Sequence, residues 1–152
     1  MIALPNLRTR AWPVLALALL LLSACGSDED GTGPLASGTG SPGCPSGLDL
    51  PAGTDVRGSA AIEGGTVTLE AGDLFFEPTC VTEVSPGTVS VTVENVGQTL
   101  HNIRVDDQGV DTDVAAGETV TVEIEVDDRP VTFVCKYHTT TGMNGALVPT
   151  GA

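Results

Sequence analysis

The chain has 152 residues, with 20 acidic side chains against six basic ones and a formal net charge of −14. This length suits one domain with accessory segments. So acidic a chain excludes nucleic acid as a partner, because a phosphate backbone would be repelled. The acidity either keeps the protein soluble or steers a protein partner that has a basic docking face.

The first 24 residues have the layout of a secretory signal peptide. Arg8 and Arg10 precede the apolar run AWPVLALALLLL, which is too short for a comfortable membrane span. Residues 22–25, Leu-Ser-Ala-Cys, resemble the lipobox of bacterial lipoproteins. We therefore expect Cys25 to become the lipidated first residue of the mature protein and to anchor it to the outer face of the cell membrane. The alternative is an ordinary signal peptide cut nearby, with Cys25 lost or free.

The segment after the signal peptide has the composition of a flexible linker. Gly, Ser, Thr, Pro and acidic residues make up almost all of residues 25–43. A single folded domain is expected over residues 44–152, which is long enough for a sandwich-sized core. The expected organisation is therefore a signal peptide over residues 1–24, a linker and one domain.

Alternating apolar and polar residues predict β-strands along this domain. The alternation is regular in TVTLEA (66–71), TVSVTVEN (88–95) and ETVTVEIEV (118–126), and Gly and Pro residues separate such runs. Several short strands with regular turns favour an all-β fold, namely an antiparallel β-sandwich of about seven to eight strands. The run VDDQGVDTD (105–113) is the densest acidic stretch, and it is interpreted as a loop.

Two potential metal ligands lie on the inward faces of predicted strands. Cys135 shares a face with Phe133, because successive side chains of a strand alternate between its two faces. In the same way, His101 shares a face with Ile103. Each potential ligand lies at one end of its apolar series, and antiparallel strands could bring these two ends together.

Two further potential ligands, His138 and Met143, follow Cys135 in a segment that can fold back over it. The chain has two histidines in all, and Met143 is its only methionine besides Met1. Taken singly, each of these residue types is more often a core residue than a ligand. Together, a thiolate, two imidazoles and a weak thioether are the ligand set of a blue-copper electron-transfer centre. Zinc fits less well, since a structural zinc site has four firm Cys or His ligands and this set offers three.

Residues 66–149 resemble a cupredoxin of the plastocyanin and azurin type. The resemblance is carried by FFEPTCVTEVSPGTVSVTVENVGQTLHNI and by FVCKYHTTTGMNGALV, in which a Pro-Gly turn, an Asn-x-Gly turn, a His-Asn pair and a Cys-x-x-His-x-x-x-x-Met loop appear in order. It implies a Greek-key antiparallel β-sandwich, the cupredoxin-like fold. It also implies one copper ion that alternates between Cu(I) and Cu(II).

The resemblance also implies a role for each residue of the site. His101 and His138 would be the nitrogen ligands, Cys135 the thiolate ligand and Met143 the long axial ligand. Asn102 would brace the ligand loop by hydrogen bonds. His138 would lie near the surface and be the electron exit.

The chain departs from plastocyanins between the cysteine and the second histidine. Plastocyanins usually have a proline there, whereas this chain has Lys136 and Tyr137. The tyrosine that plastocyanins have next to the cysteine is replaced by Val134, which argues against a second electron route of that kind. Tyr137 is expected to be a packing residue.

The remaining cysteines predict a disulfide. If Cys25 carries lipid and Cys135 binds copper, then Cys44 and Cys80 are left in an oxidising compartment, where a disulfide is expected. It would join the segment after the linker to the domain. The alternative is two free thiols.

These features together predict an exported, lipid-anchored monomer that carries single electrons between membrane-associated redox proteins. It is not expected to be an enzyme. The alternative is a copper storage or delivery protein with the same fold. A copper oxidase or nitrite reductase is disfavoured, because two histidines cannot furnish a second catalytic copper centre.

Overall fold

The computed structural model describes residues 43–62 and 64–152. The expected signal peptide, Cys25 and all of the linker except Gly43 lie outside the described residues. Across the described part of the chain, no helix is both long enough and apolar enough to span a membrane. The helical segments there are two short 3₁₀ helices, η1 (Asp106–Gln108) and η2 (Thr139–Thr141).

Ten strands form two sheets within the described residues. In chain order the strands are β1 (Ser59–Ala61), β2 (Thr66–Gly72), β3 (Phe75–Glu77), β4 (Cys80–Val84), β5 (Gly87–Asn95), β6 (His101–Val105), β7 (Val110–Val114), β8 (Thr119–Val126), β9 (Val131–Val134) and β10 (Asn144–Pro149). The six-stranded sheet has the order β1-β4-β10-β9-β6-β7, and the four-stranded sheet has the order β3-β2-β5-β8. The all-β fold is confirmed, with more strands than the seven to eight expected.

The strand directions correct one expectation, because the sheets are mixed and not purely antiparallel. Strands β1 and β4, β4 and β10, and β2 and β5 pair in parallel. Parallel neighbours need a crossover connection. Between β2 and β5 the chain passes through β3 in the same sheet and β4 in the other. Alternation of side chains specifies the faces of a strand, but it does not specify which distant strand becomes the neighbour.

The four-stranded sheet follows the sequence pattern closely. Its central strand β5 buries Val89, Val91 and Val93 and pairs with β8 in antiparallel register from Gly87 opposite Val126. Ser90 and Thr92 lie between the valines, point to the opposite face and are partly exposed. This one-sided burial makes the sheet one wall of the core.

The core lies between the two sheets. Phe76 of β3 and Phe133 of β9 meet edge to face with ring centroids 5.2 Å apart, so the two walls are in direct aromatic contact. The other large, fully buried side chains include Leu69, Ile103, Ile124, Met143 and Leu147. Aliphatic side chains from both sheets therefore fill the interior up to the segment that contains Met143.

The acidic run 105–113 is a strand for part of its length, so its interpretation as a loop was wrong. Strand β7 covers Val110–Val114 and pairs with β6. Asp111 and Asp113 face outward, while Val114 is buried. The acids did not prevent the strand because β7 is an edge strand, on which outward charges are common.

Cys44 and Cys80 form a disulfide with their Cα atoms 5.3 Å apart. Cys80 is buried at the start of β4, and Cys44 lies outside the sheets. The disulfide therefore attaches the segment before β1 to the six-stranded sheet.

Candidate metal centre

The two strands that carry His101 and Cys135 are neighbours in the six-stranded sheet. His101 opens β6, and Cys135 directly follows the last residue of β9. The strands run antiparallel with Arg104 opposite Val134. The start of β6 therefore lies beside the end of β9, and the two side chains meet at one end of the sandwich.

The structure brings three of the four expected ligands together. The ligand atoms of His101, Cys135 and His138 all lie within 4.8 Å of one another. The Sγ atom of Cys135 is 3.4 Å from Nδ1 of His138. Metal bonds are about 2.1 Å long to nitrogen and about 2.3 Å long to sulfur, so a sulfur and a nitrogen on one ion are at most about 4.4 Å apart. The group needs only small adjustments to hold one ion.

Burial differs among these three residues. His101 and Cys135 are fully buried, whereas His138 is half-buried. Nδ1 of His101 is buried without a hydrogen-bond partner. A buried polar atom without a partner is costly, and a bond to a metal would satisfy it. This atom and the donor set fit a copper ion.

Met143 lies in the loop that closes the site. The amide of Cys135 donates to the carbonyl of Met143 at 3.0 Å, and the amide of Met143 donates to the carbonyl of His138 at 3.3 Å. The residue is fully buried. These backbone bonds hold the Met143 backbone against both neighbouring ligands of the loop.

Burial also sets the protonation of the metal-free site. Burial raises the pKa of the Cys135 thiol. Burial, with a smaller contribution from His138, lowers the pKa of His101. The metal-free protein therefore holds a neutral thiol and a neutral imidazole at neutral pH, and metal binding must displace the thiol proton.

Asn102 connects the strand of His101 to its surroundings. Its side chain is buried, and Nδ2 donates to Oδ1 of Asp111 and to Oδ1 of Asp113, each at 2.9 Å. Its Oδ1 accepts from the amide of Lys136 at 3.5 Å. Asn102 therefore contacts both the ligand loop and β7.

Tyr137 corrects an expectation, since it is not a packing residue. The side chain is 47% exposed, and its hydroxyl donates to Oδ2 of Asp113 at 2.9 Å. The hydrogen bond raises the pKa of Tyr137. Asp113 lies in β7, 24 residues before Tyr137, so no residue near Tyr137 in the sequence indicates this partner.

The segment before β1 packs on the ligand loop, a contact that the sequence did not indicate. The amide of Asp55 donates to the carbonyl of Gly142 at 3.1 Å, and Nδ2 of Asn144 is 3.4 Å from Oγ1 of Thr54. A Cβ atom on Gly142 would lie 2.0 Å from the carbonyl oxygen of Gly53. Position 142 therefore requires glycine, and the segment covers the loop next to Met143.

Comparison with known proteins identifies the family. The sequence profile of copper binding proteins of the plastocyanin/azurin family matches residues 64–149, more than half of the chain. A comparison of the chain with curated proteins found no match.

Two similar solved structures come from bacterial proteins. The metal binding domain of the Cu(I) exporting P-type ATPase CopA of Streptococcus pneumoniae has a TM-score of 0.51 and 12% identity, over 62% of this chain and 98% of that one. Auracyanin from the photosynthetic bacterium Roseiflexus castenholzii has a TM-score of 0.48 and 17% identity, over 57% of this chain and 98% of that one. At 12% identity the likeness to the metal binding domain of CopA concerns the fold alone.

Proposed function

The chain belongs to the plastocyanin/azurin family of copper binding proteins, and we propose that it carries single electrons on one type 1 copper ion between redox proteins outside the cytoplasm. Copper is its cofactor. The observation that carries the proposal is the group formed by His101, Cys135 and His138, whose donor atoms lie within 4.8 Å of one another. A thiolate with two imidazoles is the core of a blue-copper ligand set.

Each side chain of the site has a task in this proposal. His101, Cys135 and His138 are the strong ligands, and Met143 is the weak axial ligand. Bound copper supplies a one-electron change between Cu(I) and Cu(II), and thiolate, thioether and imidazole ligands together suit both states. Strands β6 and β9 hold two of the ligands on a rigid sheet, so the site needs little rearrangement when an electron moves.

His138 is the proposed electron exit. Of the three clustered ligands it is the one that reaches solvent, since His101 and Cys135 are fully buried. A partner protein that docks at this end would come nearest to the metal through the His138 ring. One group of two imidazoles and a thiolate around a single ion suits the transfer of single electrons, which supports the role of a carrier.

The cellular setting is part of the same proposal. The signal-like N-terminus and the Leu-Ser-Ala-Cys segment support export and lipid attachment at Cys25. The Cys44–Cys80 disulfide is consistent with an oxidising compartment. The excess of acidic residues supports a redox partner with a basic docking face, and the protein is proposed to act as a monomer.

The experiment separates an electron carrier from a copper delivery protein through Met143. Glutamine supplies a harder oxygen donor that favours Cu(II), so Met143→Gln should lower the reduction potential while copper stays bound and the voltammetry stays reversible. Met143→Leu, which offers no ligand atom, is the matched control and should raise the potential. Copper content is assayed after repeated redox cycles. Loss of copper on each cycle from the unmodified protein would instead identify a delivery protein.

A further inference from the structure

We propose that Asp111 and Asp113 are positioning residues for the copper site: they hold the ligand loop against the strand that carries His101. The two carboxylates act through Asn102, Lys136 and Tyr137, and these five residues are called the carboxylate clamp. The inference rests on the proposed copper ligands. It assigns a task to two acidic residues that the ligand set does not use.

The clamp holds both residues that separate two of the ligands. Lys136 and Tyr137 are the only residues between Cys135 and His138. Nζ of Lys136 lies 2.8 Å from Oδ1 of Asp111 and 2.9 Å from Oδ1 of Asp113.

The Tyr137 hydroxyl completes the loop side of the clamp by donating to the other oxygen of Asp113 at 2.9 Å. Neither residue between the ligands is therefore held by its backbone alone. Each has a side-chain bond to β7, an edge strand that itself contributes no ligand.

The same two carboxylates also hold the strand of the other histidine. Asn102 follows His101 directly, and its buried Nδ2 donates to Oδ1 of Asp111 and of Asp113 at 2.9 Å each. Each carboxylate thus accepts from the loop and from β6 at once. The clamp therefore links the segment that carries Cys135 and His138 to the residue after His101.

The chemistry of the clamp distinguishes it from ordinary surface ion pairs. Isolated exposed pairs contribute little to stability. Here Asp111 and Asp113 stand two residues apart on one face of β7, and the ammonium of Lys136 lies between them with its side chain 27% exposed. The buried amide of Asn102 then satisfies the same oxygens. Networks of this kind are worth more than separate pairs, because each bond fixes groups that the others use. The pKa values of both carboxyls are lowered by Lys136 first and by Asn102 second, which agrees with this geometry.

A positioning role and a purely electrostatic role predict different results when the lysine and the two carboxylates are removed separately. If the clamp acted only by its charge, removing the Lys136 ammonium would lower the reduction potential and removing the carboxylates would raise it. If the clamp positions the loop, both changes loosen the same segment. Hydrogen exchange of the loop amides in copper-free protein then rises in both variants, and so does the rate of copper loss.

The test compares Lys136→Met with Asp111→Ala/Asp113→Ala in the full-length protein with the Cys44–Cys80 disulfide intact. We expect each variant to exchange the amides of Lys136 to His138 about tenfold faster in the copper-free state. After copper loading, we expect the metal affinity to fall about tenfold, measured by transfer to a chelator. Lys136→Arg keeps a cation with several donors, so these amides should keep most of their protection from exchange.

The matched control is Asp107→Ala/Asp128→Ala, which removes the same charge from two exposed residues outside the clamp. It should leave exchange and copper affinity unchanged. Unchanged exchange in both clamp variants would overturn the proposal, even if their potentials shifted with opposite signs. Should the double alanine variant fail to fold, Lys136→Met still decides the question. Because the exchange readout needs no copper, failure of the clamp and failure of the electron-carrier proposal are separately visible.

Discussion

The four-stranded sheet and the end of the sandwich that holds the metal centre, here called the metal end, bury different kinds of side chain. The sheet buries valines of β5 and presents Thr, Ser and Glu outward, so apolar packing holds most of its inner face. The metal end buries polar side chains instead, among them His101, Asn102 and Asn144. Removing side chains from the sheet should therefore change stability and spare the copper site. Changes at the metal end should alter the copper site at a smaller cost in stability.

The largest loss of stability is expected when the Cys44–Cys80 disulfide is removed. The two cysteines are 36 positions apart, and the chain-entropy model gives about 4 kcal/mol for a closed loop of that length. Chemical denaturation of copper-free Cys44→Ala/Cys80→Ala measures the loss. A loss smaller than about 1 kcal/mol would mean that the segment before β1 is held by its other contacts.

A core deletion in the four-stranded sheet should reduce stability without affecting the copper site. Ile124 is fully buried in β8, and Ile124→Ala should cost about 3 kcal/mol through lost burial and the cavity left behind. The visible spectrum and reduction potential of the copper-loaded variant should match those of the unmodified protein. Glu123→Ala, at the exposed neighbouring position, is the control and should stay within about 0.5 kcal/mol. A shifted potential in Ile124→Ala would show that the two regions are coupled through the core.

Gly142→Ala, in contrast to Ile124→Ala, should change the copper site and cost less stability. Its φ angle of 91° disfavours a side chain, and the added Cβ would meet the carbonyl oxygen of Gly53 at 2.0 Å. The loop must move at the position before Met143, so the spectrum and potential should change, with a stability loss of about 2 kcal/mol. Gly109→Ala is the matched control, because it also has positive φ but its Cβ would have no neighbour within 4 Å. An unaltered spectrum in Gly142→Ala would show that the segment before β1 does not influence the site.

The smallest effect on the stability of the copper-free protein concerns pH and belongs to the metal end alone. Burial lowers the pKa of His101, so the unfolded state binds more protons below about pH 6.5, the ordinary histidine value. This contribution to the stability of copper-free protein is fully present above that pH. It is lost as the pH falls toward the lowered folded pKa. Denaturation midpoints of the unmodified protein and His101→Gln between pH 7.5 and about 5 measure the difference. Equal pH slopes for the two proteins would contradict the prediction.

Copper affinity should also depend on pH, because Cys135 is buried as well. The raised pKa of Cys135 means that binding displaces a proton from the thiol, so copper affinity should rise about tenfold per pH unit around neutrality. Competition with a chelator of known pH dependence measures this slope.

How far the sequence predicts the structure also differs between the two regions. The faces of β2, β5 and β8 could be read directly, because alternation along a strand needs no knowledge of its neighbours. Their partners could not, since the parallel pairing of β2 with β5 depends on how the chain crosses between sheets.

At the metal end, parity and spacing indicated the group of His101, Cys135 and His138, which the structure brings together. The clamp was hidden because Asp111 and Asp113 looked like a solvated loop. Their partner Lys136 lies 25 residues from Asp111 in the chain. Long-range polar contacts of this kind leave no periodic pattern in a sequence.

The visible spectrum of the oxidised, copper-loaded protein tests the metal centre most directly. A thiolate bound to Cu(II) gives intense charge-transfer absorption, so the protein should be strongly coloured with one copper per chain and should bleach on reduction by ascorbate. Cys135→Ser should lose the colour, while Ile124→Ala should keep it. A colourless copper complex, or colour that survives in Cys135→Ser, would contradict the assignment of Cys135 as a copper ligand.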